Sequence, residues 1–178
     1  MIRKATIDDL PAIERVMRAS MASLGANFYA AAHVPSAVQF IAVPDRQLID
    51  DGTYYVVIED DAIVACGGWS WRKKLFTGTS DQDAAIGDID PAHDPGRIRA
   101  MFVHPDYARR GLGRLILTTS EDHARQMGFT RFELMATLPG VPLYEACGYE
   151  RIEDVTLDLP DGTRLDCVRM SKRAAGRI

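Results

Sequence analysis

The stretch from Arg97 to Leu117 constrains this chain more than any other. A short strand, 97–103, ends in the apolar run Ala100-Met101-Phe102-Val103, and Pro105 stops it because proline has no N–H to give a ladder. A basic, glycine-bearing loop follows, Ala108-Arg109-Arg110-Gly111-Leu112-Gly113. A helix then starts at about Leu112. Its residues Leu112, Leu115, Ile116, Thr119 and Met127 fall near helical spacing, with Gly128 as the stop. Strand, glycine loop and helix together make an anion site. The first helical turn has N–H groups without internal partners, and the helix dipole adds partial positive charge there. Glycine lets backbone approach a ligand, and Arg109, Arg110 and Arg114 add formal charge, so a pyrophosphate would sit well here.

Two common phosphate motifs are excluded. The G-x-x-x-x-G-K-[ST] loop is absent, and the dinucleotide pattern G-x-G-x-x-G fails at Ile116. The stretch instead resembles the acetyl-CoA-binding segment of the GCN5-related N-acetyltransferase (GNAT) superfamily. There a strand ends in Val-His-Pro, an aromatic follows two residues later, and [Q/R]-x-x-G-x-[G/A] opens a helix. Val103-His104-Pro105, Tyr107 and Ala108 to Gly113 align with it. The first motif position is Ala108 rather than Gln or Arg, and Arg109 is the candidate to supply that charge. A second match is Tyr144-Glu145-Ala146-Cys147-Gly148-Tyr149, which resembles the family's Tyr-x-x-x-Gly-[Phe/Tyr] segment beside the thioester sulfur.

At 178 residues the chain suits one domain spanning 1–178. Hydrophobic residues at 47% and charged residues at 26% are ordinary for a soluble globular protein. A net charge of −4 gives no reason to expect a nucleic-acid partner. The sequence has no apolar run long enough for a membrane span and no visible secretory signal. Three scattered cysteines, without Cys-x-x-Cys or His-Glu-x-x-His, argue against a disulfide framework or a metal site and fit a cytoplasmic protein.

In chain order, 2–5 reads as a strand, and Thr6 with Asp9 as a capping box before a helix striped by Leu10, Ile13, Val16 and Met17. A second helical region, 36–49, is interrupted by Pro44. Phe28 and Tyr29, between them, read as buried side chains. The resemblance also makes them substrate candidates. Residues 53–59 and 62–71 form an antiparallel hairpin, with Gly67-Gly68 marking a bulge or close backbone approach. Trp69 and Trp71 share a face, either in the core or along an acceptor cleft. The 22 residues 75–96 carry five aspartates and no lysine or arginine. They read as a solvated acidic insertion or as a lid that would draw in a cationic amine. Strand 130–138 lies parallel to 97–103 through the crossover helix. A short helix to Cys147, a hairpin of 150–159 and 163–171, and a frayed tail, 172–178, complete the chain. An exposed edge in that hairpin would allow a homodimer. The expected fold is mixed α/β (α+β) and GNAT-like: a mixed central sheet, a parallel strand pair at the cofactor site and about four helices.

The resemblance implies acetyl transfer from acetyl-CoA to a primary amine of a small molecule, without a metal. Arg109, Arg110, Gly111, Leu112, Gly113 and Arg114, with Ala108, would hold pyrophosphate. The amides near Phe102 and Val103, at a strand bulge, would polarise the thioester carbonyl. Tyr144 would protonate the departing thiolate, a phenol of pKa about 10 facing a thiol of about 8.5. Glu133 is the first candidate for the base that deprotonates the amine, followed by Asp88 and His93; an ion pair with Arg131 or Arg99 is the competing role for Glu133. Cys147 reads as a packed thiol. Acetylation of a protein N-terminus or lysine, and a CoA-binding sensor without turnover, are the alternatives.

Overall fold

A computed structural model describes residues 1–173 of the chain; the part of the expected tail from 174 onward lies outside them. Lys172 and Arg173 are not frayed but close the last strand.

Strand β1 (Ile2–Lys4) leads through the capping box into α1 (Leu10–Leu24). The Thr6 N–H donates to Asp9 Oδ2 at 2.7 Å, and Arg3 pairs with the same carboxylate at 2.7 Å. The Arg3 guanidinium, helped by Thr6 and opposed by partial burial, holds the Asp9 carboxyl down at about 2, against an ordinary 3.8. A depressed carboxyl stabilises the fold above its unfolded-state pKa and loses that contribution as pH falls through the folded value. Thermal midpoints should therefore fall from about pH 4 to about pH 2, and less steeply in Asp9→Asn. Equal slopes in the two proteins would remove Asp9 from the acid response.

Pro44 divides the second helical region into α2 (Val34–Phe40) and α3 (Arg46–Asp50), and Asp45 caps α3 by accepting from the Gln47 N–H at 3.1 Å. Strands β2 (Tyr54–Glu59) and β3 (Ala62–Ser70) form the hairpin, turned by Asp60 and Asp61 with φ of 48° and 60°. A short α4 (Ser80–Asp83) precedes β4 (Gly96–Val103), α5 (Leu112–Gln126), β5 (Arg131–Thr137), α6 (Val141–Ala146), β6 (Glu150–Asp158) and β7 (Arg164–Arg173). The sheet order is β1-β2-β3-β4-β5-β7-β6, with β4 and β5 parallel and the other neighbours antiparallel. The expected mixed sheet with one parallel pair is present; the helices number six among the described residues because α3 and α4 are added.

Side-chain alternation sorts the strand residues between the two faces of the sheet. Tyr54, Val56 and Cys66 join Ile13, Met17 and Leu48 from α1 and α3 on one face. Tyr55, Trp69, Ile98 and Leu134 join Leu117 and Ala124 from α5 on the other. The buried stripe of α5 is Leu112, Ile116, Leu117, Ser120, Glu121 and Ala124, so the expected Leu115 and Met127 are exposed. Buried Glu121 accepts from the Tyr149 hydroxyl at 2.9 Å and pairs with Lys172 at 2.9 Å and Arg125 at 2.8 Å, tying α5 to β7. Trp69 is fully buried and packs edge-on against Trp71, His123 and Phe129, so it belongs to the core and not to a cleft.

The acidic segment is folded back on the chain. The Lys73 N–H donates to Gly87 O and the Ile89 N–H to Trp71 O, and Asp83 pairs with Lys74 at 3.0 Å. Asp88 lies 3.6 Å from Arg72, and exposed His93 is bound to Asp90.

Candidate active site

Strands β4 and β5 pair only at Gly96 with Phe132 and Arg97 with Glu133. Beyond Arg97 they diverge and leave a cleft in the middle of the sheet. A bulge in β4 accompanies the divergence. Cys66 faces Phe102 and Gly68 faces Arg99, so Gly67 alone opposes Ala100 and Met101. Ala100 takes the left-handed conformation, φ 51°, and its carbonyl accepts from the buried Tyr54 hydroxyl at 2.6 Å. Past the bulge the His104 N–H donates to Val64 O at 2.8 Å. Alternation then turns the Phe102 N–H toward β3 and the Val103 N–H toward the cleft. Of the two expected amide donors, Val103 is the one directed at the gap.

The loop after β4 keeps its backbone donors free. The first bond back into it runs from the Leu115 N–H to Gly111 O, and among the described residues the amides of Gly111 to Arg114 have no protein acceptor. Gly111 has φ 82°, and a Cβ added there would meet nothing within 4 Å, so its left-handed turn and open face explain the glycine. Gly113 has a different reason: a Cβ there would lie 2.8 Å from Leu143 Cδ2, so this glycine lets α5 pack closely on α6. Arg109 also adopts a positive φ, 66°. Arg109, Arg110 and Arg114 are exposed, Ala108 is half-buried, and Arg110 stacks over Tyr107 at 4.9 Å. An open turn of unpaired amides rimmed by three guanidiniums fits a pyrophosphate.

Two cavities meet where the strands part. One, of about 650 Å³, lies toward the loop, with Val103, Gly113, Ile116 and Leu143 in its wall. The other, of about 630 Å³, lies toward α2 and the start of the acidic segment, with Ile41, Phe76, Arg99, Met135 and Leu157 in its wall. They share Met101, Phe102, Thr137 and Tyr144. Tyr144 is buried on α6, its ring edge-on to Tyr149 at 5.8 Å. Burial, with the nearby Cys147 thiol, raises its phenol well above the ordinary value, so the proton stays in place through neutral pH. Cys66 and Cys167, one in each cavity wall, are pushed up to about 12 by burial and are not thiolate nucleophiles.

A family model described as the acetyltransferase (GNAT) family matches residues 22–149. The chain belongs to the GNAT acetyltransferase family. It is 29% identical over 86 residues to "Probable N-acetyltransferase 14" of Xenopus tropicalis, a match covering 44% of this chain and 42% of that relative's length. Among solved structures, a GCN5-related N-acetyltransferase from Rhodopseudomonas palustris superposes with a TM-score of 0.74 at 18% identity, over 97% of this chain and 94% of that one. The PaiA N-acetyltransferase of Thermoplasma acidophilum, solved in complex with coenzyme A, gives 0.63 at 15% identity, over 97% and 98%. At these identities the structures speak to fold.

The GNAT chain places its other expected residues unevenly. Glu133 is in neither cavity wall, and its two oxygens are taken by Arg97 at 2.6 Å and Arg169 at 2.8 Å. Glu133 clamps β4, β5 and β7 together, the ion-pair role that competed with the base role, and its partners are neither Arg131 nor Arg99. Asp88 and His93 lie on the exposed acidic segment, outside the cleft. Tyr29 is structural, donating to Asp166 O at 2.7 Å and accepting from the Leu138 N–H at 2.9 Å, while Phe28 is exposed. Sequence reasoning missed three residues of the site. Tyr54 holds the bulge, Asp45 sits behind the cleft, and Arg99 lines it. Arg97 and Arg99, alternating with Ile98 and Ala100, were the available signal of charges on one strand face. Among the described residues no three His, Cys, Asp or Glu side chains stand together as a metal group, and no helix is long and apolar enough to cross a membrane.

Proposed function

We propose that the chain transfers the acetyl group of acetyl-CoA directly to a primary amine of a small molecule. The observation that carries this reading is the junction of the two cavities at Tyr144 and the bulged strand. Acetyl-CoA, when bound, supplies the acyl group as a thioester. The amides of Gly111 to Arg114 with Arg109 and Arg110 hold its pyrophosphate. The Val103 N–H donates to the carbonyl oxygen as it gains negative charge. Met101 and Phe102 line the path between the cavities. As the amine nitrogen bonds to the carbonyl carbon and the carbon–sulfur bond breaks, Tyr144 gives its phenol proton to the sulfur. The proton lost by the amine leaves through water and restores the phenol. No Asp, Glu or His is in the wall of either cavity among the described residues.

Calorimetry with acetyl-CoA, paired with free-thiol release against an amine panel, tests the assignment. Binding and thiol release with a small amine support it; turnover with peptide amines alone would transfer the activity to proteins. The pair Arg109→Ala and Arg110→Ala should weaken acetyl-CoA binding about tenfold or more, less at high salt. An unchanged affinity would defeat the cradle.

A further inference from the structure

The charge of the acceptor is legible in the wall of the cavity on the α2 side. This inference rests on the reading above, with that cavity as the acceptor site. Its wall brings the apolar side chains Ile41, Phe76, Met135 and Leu157 together with polar groups, Thr77, Thr137 and Tyr144 among them, and its one formal charge is Arg99. Arg99 is 3% exposed, which is rare for a charged side chain. It also borders a neighbouring cavity with Arg72, Lys74 and Asp45.

A guanidinium has five N–H donors and no acceptor. Arg99 uses three. Nη2 donates to Asp45 Oδ2 at 2.8 Å and to Thr77 Oγ1 at 3.2 Å, and Nη1 reaches Lys74 O at 3.4 Å. Nε–H and the second Nη1–H have no acceptor among the described residues. Asp45 serves more than one donor. Its Oδ2 is shared with Lys74 at 3.5 Å, and its Oδ1 accepts from the Gln47 N–H. Asp45 thus orients Arg99 and leaves donors for a ligand. The acidic side chains of the 75–96 segment are elsewhere: Asp83 on Lys74, Asp88 near Arg72, Asp90 on His93. The reading of the segment as a lid whose acidic groups draw in a cationic amine has no support in the cavity wall.

We propose that the acceptor is a small amine bearing a carboxylate on an apolar body, with the carboxylate on Arg99. Arg99 suits a carboxylate because its planar fork presents parallel donors. The side chains of Ile41, Phe76, Met135 and Leu157 take the body, and the amine is left toward Tyr144 and the bulge. An amine carrying further positive charge would face Arg99 with no acidic group in the wall to offset it.

Matched pairs that differ only in the carboxylate test this: leucine against isopentylamine, phenylalanine against phenethylamine, 6-aminohexanoate against pentylamine, with spermidine as the polycation. Two readouts are taken, thiol release with acetyl-CoA and direct calorimetric binding of each amine to the protein alone. The carboxylated member of at least one pair should be favoured by about tenfold to a hundredfold in kcat/KM and in affinity, as for hydrogen bonds to a charged group. Arg99→Gln should erase that preference while acetyl-CoA binding, checked on the same sample, is retained. A preference for the bare amines or spermidine, or no binding of any carboxylated amine, would overturn the proposal. If acetyl-CoA does not bind but the carboxylate preference persists in direct titration, the transferase reading fails and the Arg99 site stands. If Arg99→Gln loses acetyl-CoA binding as well, Thr77→Val replaces it as the variant. It removes a hydroxyl that orients Arg99 and should lower the preference severalfold; an unchanged preference would count against Arg99.

Discussion

Tyr144→Phe is expected to lower kcat by about a hundredfold or more, the scale of a lost general acid, with acetyl-CoA affinity within about twofold of the parent. The substitution removes one hydroxyl. The ring that packs on Tyr149 and under Gly140 remains, so the cavity walls keep their shape. The loss should appear in the chemical step, and an activated thioester with a better leaving thiol should recover part of it, because a lower-pKa thiolate needs its proton less. A KM change with kcat intact would instead make Tyr144 a wall residue and send the search for the acid elsewhere along the shared lining.

The largest effect on stability is expected at Gly68. A Cβ built there would lie 2.2 Å from Thr53 O and 2.9 Å from Tyr54 Cα. Both obstacles are backbone, so no rotamer change relieves them. Gly68→Ala should cost about 3 kcal/mol or more, the upper range of overpacking, which for a chain of this size is a fall in melting temperature of roughly 6–12 °C. Gly67→Ala should cost less, because its nearest contacts are the side-chain atoms Met101 Sδ at 2.8 Å and Ile116 Cγ2 at 2.9 Å. A Gly68→Ala melting curve that matches the parent would show that β3 and the start of β2 can move apart. The Tyr54 hydroxyl that satisfies the bulge carbonyl would then not be rigidly placed either.

What could be read from sequence and what could not divide along physical lines. The open turn with its free amides was legible because its determinants are local: a strand stop, glycines, arginines and an amphipathic helix within about twenty residues. The Gly67-Gly68 pair announced close approach, and the approach is there. The exposed side of α5 was misjudged because apolar residues at helical spacing define a stripe only when the neighbours are known, and Leu115 lies just off it. Glu133 looked like a base because nothing in the sequence says that Arg169, 36 residues on, returns to the same point through β7. Arg99 was invisible as a cavity residue for the same reason: its orienting partner Asp45 is 54 residues away and doubles as the cap of α3. Tyr144 and the glycine loop come from motifs, and that Tyr144 and Gly113 line one cavity needed the fold.

The strand order has a consequence for how the protein is made. β7 is the last strand described, yet it lies inside the sheet between β5 and β6. Synthesis order and assembly order are therefore opposed. A nascent chain emerges with β5 as a bare edge, open to pairing with other chains, and β6 appears before the strand that will hold it. Arg169, which completes the clamp on Glu133, and Cys167, which closes part of the wall of the α2-side cavity, belong to that last strand. The cleft cannot be preassembled on a ribosome while β7 is still being made, and a chain truncated before β7 would lose both its C-terminal strands and one wall of its active site.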